Sequence, residues 1–226
     1  MTNATDGQRE RLTREEQKAL TRRRLLASAA NVFAERGFHG ASVEEIAERA
    51  GFTRGAFYSN FESKADVFLA LLDGHIEREM RMLEEALAGD ESAQAFLDLL
   101  GRGGRRGEGR EWTLLWAEFW LHVMRHPELA PKLAARQRAV RRAVAGLIER
   151  QCGQMGFILP MPAEQLAAVM LAVDDGLKLQ EDLDPGSVPG DLRSRMLVLL
   201  FSGMAALSGK KPGGRPASGD GPSGQD

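Results

Sequence analysis

Residues 37–68 read GFHGASVEEIAERAGFTRGAFYSNFESKADVF. Ser42 followed by Glu45 has the spacing of a capping box, so a helix starts at Val43. It lasts two turns and stops at Gly51, a residue suited to the left-handed position after a helix. Thr53 caps the next helix, whose first turn is Arg54, Gly55 and Ala56. Phe57 and Phe61 lie four apart and face inward, leaving Tyr58, Ser59 and Asn60 partly outward. Ser63 and Asp66 form a further cap pair, opening a long helix with Lys64 in its first turn.

Two short helices joined by a glycine-containing turn make a helix-turn-helix. The second helix exposes small and polar groups at its N-terminal end, the end that enters a major groove in such motifs. Gly55 and Ala56 let backbone approach bases closely. Arg54 can fork onto guanine O6 and N7, and Thr53 can touch a base edge or a thymine methyl. Ser42, Tyr58, Asn60 and Lys64 can hydrogen-bond phosphates, which fix register without reading sequence. The helix N-termini at Ser42 and Ser63 add backbone donors for phosphates. The alternative is a helical hairpin that only packs, but an exposed Gly-Ala pair and an outward Tyr have no evident packing use.

Around this stretch the chain reads as helical. Leu25, Ala29, Val32 and Phe33 recur at helical spacing, as do Val43, Ile46, Ala47 and Ala50. Phe68, Leu71, Leu72 and Ile76 continue the pattern, and so do Leu166, Val169, Met170, Val173 and Leu177. The spacing predicts helices over 14–36, 43–50, 54–61, 64–88, 91–100, 111–125, 128–155, 163–182 and 190–207. No sustained period-two run argues for strands. Gly101 to Arg110 reads GRGGRRGEGR, too rich in glycine for a helix and expected as a mobile loop. Residues 1–13 are expected to be a disordered arm, and 208–226, dominated by Gly, Pro and Ser, a disordered tail.

The chain has 226 residues, 43 % hydrophobic and 27 % charged, with a net charge of −2. That is an ordinary globular balance. Cys152 is the one cysteine, which excludes an intramolecular disulfide and makes the reducing cytoplasm the expected compartment. The longest apolar runs, 166–173 and 196–201, are too short to span a bilayer, so no membrane partner is expected. The N-terminus is polar and charged and does not read as a signal peptide. Residues 1–64 carry eleven basic and nine acidic side chains, whereas the remainder carries nineteen and twenty-three. The N-terminal part therefore suits a phosphate backbone and the rest does not.

The segment resembles the DNA-binding domain of the TetR family of bacterial transcriptional regulators. The resemblance lies in Phe33–Phe38, Ser42–Ala47, Ala50–Tyr58 and Phe61–Lys64, an ordered match over roughly residues 20–72. It implies DNA contacts at Ser42, Thr53, Arg54, Gly55, Ala56, Tyr58, Ser59, Asn60 and Lys64. Many family members carry His where Asn60 stands. The resemblance further implies an all-α chain. A three-helix DNA-binding domain over 14–62 would precede a helical ligand-binding and dimerisation domain over 63–207. The expected function is that of a homodimeric repressor, released from an inverted-repeat operator in double-stranded DNA by a small-molecule effector.

The C-terminal half allows this. Leu192, Met196, Leu199, Leu200 and Gly203 can pack on a partner subunit, or close an ordinary monomer core. Trp112, Trp116, Phe119 and Trp120 crowd one helix, with His122 following. They read either as an aromatic pocket oriented by Glu118 or His122, or as core. Such a pocket suits a hydrophobic or planar effector, and a buried Glu118 a cationic one. His122 and His126 are four apart, but no Cys or third ligand at suitable spacing accompanies them, so no metal is expected. Asp174 and Asp175 come without a nucleophile or base, so neither an enzyme nor a cofactor site is expected. Arg9, Arg11, Arg14, Lys18 and Arg22–Arg24 either add DNA contacts or form a solvated helix face with Glu10, Glu15 and Glu16.

Overall fold

A computed structural model describes residues 13–89, 109–154, 156 and 158–207. It contains α1 (Arg14–Gly40), α2 (Val43–Arg49), α3 (Arg54–Tyr58) and α4 (Lys64–Gly89). After these come α5 (Gly109–Arg125), a 3-10 turn (Pro127–Leu129), α6 (Ala130–Gln154), α7 (Ala163–Leu183) and α8 (Leu192–Leu207). Among the described residues there is no strand, and the fold is all-α as expected. No described helix is long and apolar enough to cross a membrane.

The expected helix 91–100, the arm over 1–12, most of the Gly/Arg loop and the tail lie outside the described residues. Gly109 and Arg110, assigned to that loop from sequence, instead open α5. Thr13, assigned to the arm, is the N-cap of α1. Its hydroxyl accepts from the Glu16 amide while the Glu16 carboxylate accepts from the Thr13 amide, a complete capping box. The pattern Thr13-x-x-Glu16 carried that signal in the sequence. The helix expected over 54–61 is shorter, ending at Tyr58.

The described residues form two compact units. The first takes residues 13–82 and 109–138, and the second 83–89 and 139–207. The centre of the first is aromatic. Phe33, Phe38, Phe68 and Phe119 are fully buried, bringing α1, α4 and α5 together. The Phe68 and Phe119 rings stack with centroids 4.0 Å apart, and Phe38 meets Phe119 edge-on at 5.1 Å. Each such ring contributes about 1.5–3 kcal/mol by leaving water. Leu25, Ala29 and Val32 complete the inner stripe of α1, and Ser28 donates to the Ile46 carbonyl at 2.8 Å to seat α2. Asp73 of α4 accepts a two-pronged contact from Arg136 of α6, at 2.6 and 2.8 Å. In the second unit the buried side chains include Val144, Leu147, Ile148 and Cys152 of α6, and Ala163, Leu166, Ala167 and Met170 of α7.

Candidate nucleic-acid interface

The two-helix motif is built by local caps. The Glu45 amide donates to Ser42 Oγ at 3.1 Å, the Ala56 amide to Thr53 Oγ1 at 3.2 Å, and the Asp66 amide to Ser63 Oγ at 3.1 Å. Gly51 takes φ +77°, and the Phe52 amide returns to the Ala47 carbonyl at 2.9 Å. The turn therefore closes on the glycine as the sequence predicts. Ile46, Ala47 and Phe57 bury the inner faces of α2 and α3.

The outer face of α3 is open. Thr53, Arg54, Gly55, Tyr58 and Ser59 are exposed, and Ala56 is half-buried. A Cβ placed on Gly55 meets only Thr53 Oγ1, at 3.7 Å, so nothing within the fold demands glycine there. Arg54 Nη1 lies 2.9 Å from Glu44 Oε1, and its guanidinium carbon is 5.4 Å from the centre of the Tyr58 ring. Ser59 Oγ donates to the Gly55 carbonyl at 2.9 Å.

Two expected DNA contacts have other uses in this structure. Asn60 is half-buried, and its Nδ2 donates to the Ala56 carbonyl at 2.8 Å. Its Oδ1 is buried and cannot donate to a phosphate in any case. Asn60 thus closes the end of α3, while its own carbonyl accepts from Arg22 at 2.9 Å. Lys64 Nζ donates to the carbonyls of Phe38 at 2.5 Å and Ala41 at 2.7 Å, with His39 at 3.4 Å. Those carbonyls lie where α1 gives way to α2, and the ammonium satisfies them. Burial lowers the Lys64 pKa, partly offset by the Glu118 charge.

Glu118 belongs to the same corner. Its Oε2 accepts from the Phe38 amide at 2.6 Å. Gly37 takes φ +69° and ψ 175°, which interrupts α1, and the carboxylate receives the amide that follows. Glu118, expected from sequence as an orienting group for a ligand, has backbone of α1 as its hydrogen-bond partner. His122, one turn further along α5, packs its ring 4.8 Å from Phe38, 5.4 Å from His39 and 4.2 Å from His126. Burial, and then the His126, His39 and Lys64 charges, push its pKa down, while Glu128 opposes them.

The tryptophans separate. Trp112 stacks on His75 at 4.3 Å and on Phe68 at 5.9 Å, and Trp116 packs half-buried on the core. Trp120 is 48 % exposed. Residues four apart drift about 40° around a helix at 3.6 residues per turn, so the third ring has rotated out of the shared face. Phe119 is core. In the second unit Leu199 is 73 % exposed and Gly203 is exposed, while Leu192, Met196 and Leu200 are half-buried. Val169, Leu179 and Leu183 of α7 and Val198 of α8 are exposed as well.

Residues 25–71 match the family described as bacterial regulatory proteins, tetR family. Residues 104–198 match that described as BetI-type transcriptional repressor, C-terminal. Over 77 residues the chain is 38 % identical to the HTH-type transcriptional activator FasR of Mycolicibacterium smegmatis, covering 34 % of this chain and 33 % of the relative. Over 54 residues it is 46 % identical to the HTH-type transcriptional repressor BepR of Brucella suis, covering 24 % and 26 %. The matches thus span about a third or less of these curated relatives. A crystal structure of a TetR-family transcriptional regulator from Rhodococcus sp. superposes with a TM-score of 0.68 at 25 % identity, over 82 % of this chain and 99 % of that one. With the helix-turn-helix geometry and both halves of the sequence matched, the chain belongs to the TetR family, whose members are DNA-binding regulators rather than enzymes.

Proposed function

We propose that the chain is a homodimeric transcriptional repressor that reads an inverted-repeat operator through α3 and is released by a small apolar or aromatic effector. Residues 14–62 serve as the reading domain and 63–207 as the effector and dimer domain. The open Thr53–Arg54–Gly55–Tyr58 face carries this reading, because these side chains suit a major groove and, the Thr53 cap aside, the fold makes little use of them. Two copies of α3 then sit about 34–36 Å apart, one helical turn of DNA, or a multiple of it. The exposed apolar positions on α7 and α8 support self-association. The relatives include both an activator and a repressor, so the direction of regulation follows from where the operator lies relative to its promoter.

Release by an effector requires that it bind the spread state more tightly than the DNA-bound state. The α5 helix suits the relay. It carries Trp112, Trp116 and Trp120, and through Glu118 and Phe119 it touches the corner where α1 meets α2. The test is selection of bound fragments from random duplex DNA by the purified full chain, followed by sequencing. An enriched inverted repeat is expected, with apolar aromatic compounds then displacing it in a fluorescence anisotropy titration. Weak, salt-sensitive binding with no preferred sequence would overturn the proposal.

A further inference from the structure

We propose that Glu44, on the first helix of the motif, is a positioning residue for base reading: it holds the Arg54 guanidinium in the orientation that reads guanine. The inference rests on the DNA-reading function proposed above. Arg54 is the first residue of α3, and its Nη1 is 2.9 Å from Glu44 Oε1 on α2. Its Nη2 lies 3.5 Å from Tyr58 Oη, and the guanidinium leans on the Tyr58 ring. Arg54 is therefore held from two sides on the face that α3 leaves open.

The fold has little need of this pair. Both side chains are more than half exposed, at 63 % for Arg54 and 57 % for Glu44, and exposed ion pairs add little to stability. The junction of α2 and α3 is already fixed by Ile46, Ala47 and Phe57, all buried. Neighbouring acids are engaged elsewhere: Glu45 pairs with Arg49 and Arg36, and Glu35 with Arg49. Glu44 faces the recognition helix instead, and a carboxylate there repels phosphate and weakens DNA binding on charge alone.

What the carboxylate provides is orientation. Arg carries five N–H donors in a rigid planar fork, and an acid on one edge leaves the other edge free. A free Arg side chain can satisfy itself on any phosphate, which carries no sequence information. An Arg held by Glu44 through Nη1 keeps its remaining N–H donors for guanine O6 and N7. Glu44 thus lowers affinity for arbitrary DNA and raises discrimination at one base pair in each half-site.

The experiment uses the duplex enriched by the wild-type chain, the same duplex with the Arg54-dependent guanine exchanged in both half-sites, and a random-sequence duplex. Full-length wild type, Glu44→Ala, Arg54→Ala and the double variant are compared by fluorescence anisotropy, with circular dichroism melting as the folding control. Glu44→Ala should bind random duplex several-fold more tightly and lose about tenfold in discrimination at the exchanged position. In the Arg54→Ala background the same change should leave discrimination untouched, because Glu44 acts through Arg54. Unchanged discrimination in Glu44→Ala overturns the proposal, as does an equal loss in both backgrounds, which would make Glu44 a base reader itself. If the wild type enriches no sequence, the regulatory reading falls, and this inference falls with it. If wild type selects a repeat and Glu44→Ala selects it equally well, only this inference fails.

Discussion

Two glycines divide the residue-scale argument between fold and function. Gly37 has φ +69° and ψ 175°, a region essentially closed to other residues, and a Cβ there would lie 2.6 Å from the Glu118 carboxylate. Gly37→Ala therefore adds backbone strain and pushes Glu118 off the Phe38 amide. The loss should be about 2–4 kcal/mol, measured as a fall in the urea unfolding midpoint. Gly55 is the opposite case. Its φ is ordinary, its Cβ site is nearly empty, and glycine within a helix costs about 0.5–1 kcal/mol relative to alanine. Gly55→Ala should raise the unfolding midpoint and at the same time weaken binding to the selected operator about tenfold, as read by anisotropy. A variant that is more stable and binds equally well would show that the backbone of α3 does not approach the bases closely. The sequence alone assigned Gly55 a functional use, and the fold leaves open space where its Cβ would stand.

At the scale of elements, what was legible in the sequence was what is local. The caps at Ser42, Thr53 and Ser63 each join residues three apart, so a single turn of sequence contains both partners. The corner between α1 and α2 was not legible, because Glu118 and Phe38 are 80 residues apart and Lys64 and Phe38 are 26 apart. An acid among tryptophans reads as a ligand group in the sequence, and the backbone amide it serves lies far away along the chain. The same corner predicts a pH dependence. His122 faces His39 from α1, Lys64 from α4, His126 from the end of α5 and Glu128 from the 3-10 turn. Burial and the cationic neighbours hold its folded pKa below the ordinary 6.5. As pH falls past about 6.5 the unfolded chain takes up this proton before the folded chain does, so stability is full above that pH and declines below it. The urea midpoint should therefore drop between pH 7.5 and pH 5.5, and drop less in His122→Gln. Equal drops in both proteins would remove His122 from the corner's proton balance.

At the scale of the whole molecule, the question is what covers the apolar positions that the described residues leave in water. Along α7, Val169, Ala172, Leu179 and Leu183 are exposed, with Val173 and Gly176 half-buried between them. Val169, Ala172, Gly176, Leu179 and Leu183 fall at alternating steps of three and four, with Val173 beside them, a stripe along one side of the helix. On α8, Leu199 and Gly203 are exposed four apart, and Val198 lies beside them. Small residues in such stripes permit close helix approach, and exposed leucines there have a large gain available on burial. Both helices read as rich in apolar positions, but contact residues were legible on α8 alone, because Val169 shares its spacing with the buried Leu166 and Met170 and so reads as core. Leu179→Glu combined with Leu199→Glu removes two such contacts and places two carboxylates where desolvation is costly. If these helices form the proposed dimer, the double variant should dissociate at least about a hundredfold more readily, shown by sedimentation equilibrium as monomer at micromolar concentration. Each protomer should keep its helical circular dichroism spectrum. Its binding to the full inverted repeat should fall to the level of binding to a single half-site, since one protomer then reads each half alone. A double variant that sediments as the wild type does would mean that the stripe lies outside the subunit contact, and that the two reading helices are spaced by some other surface.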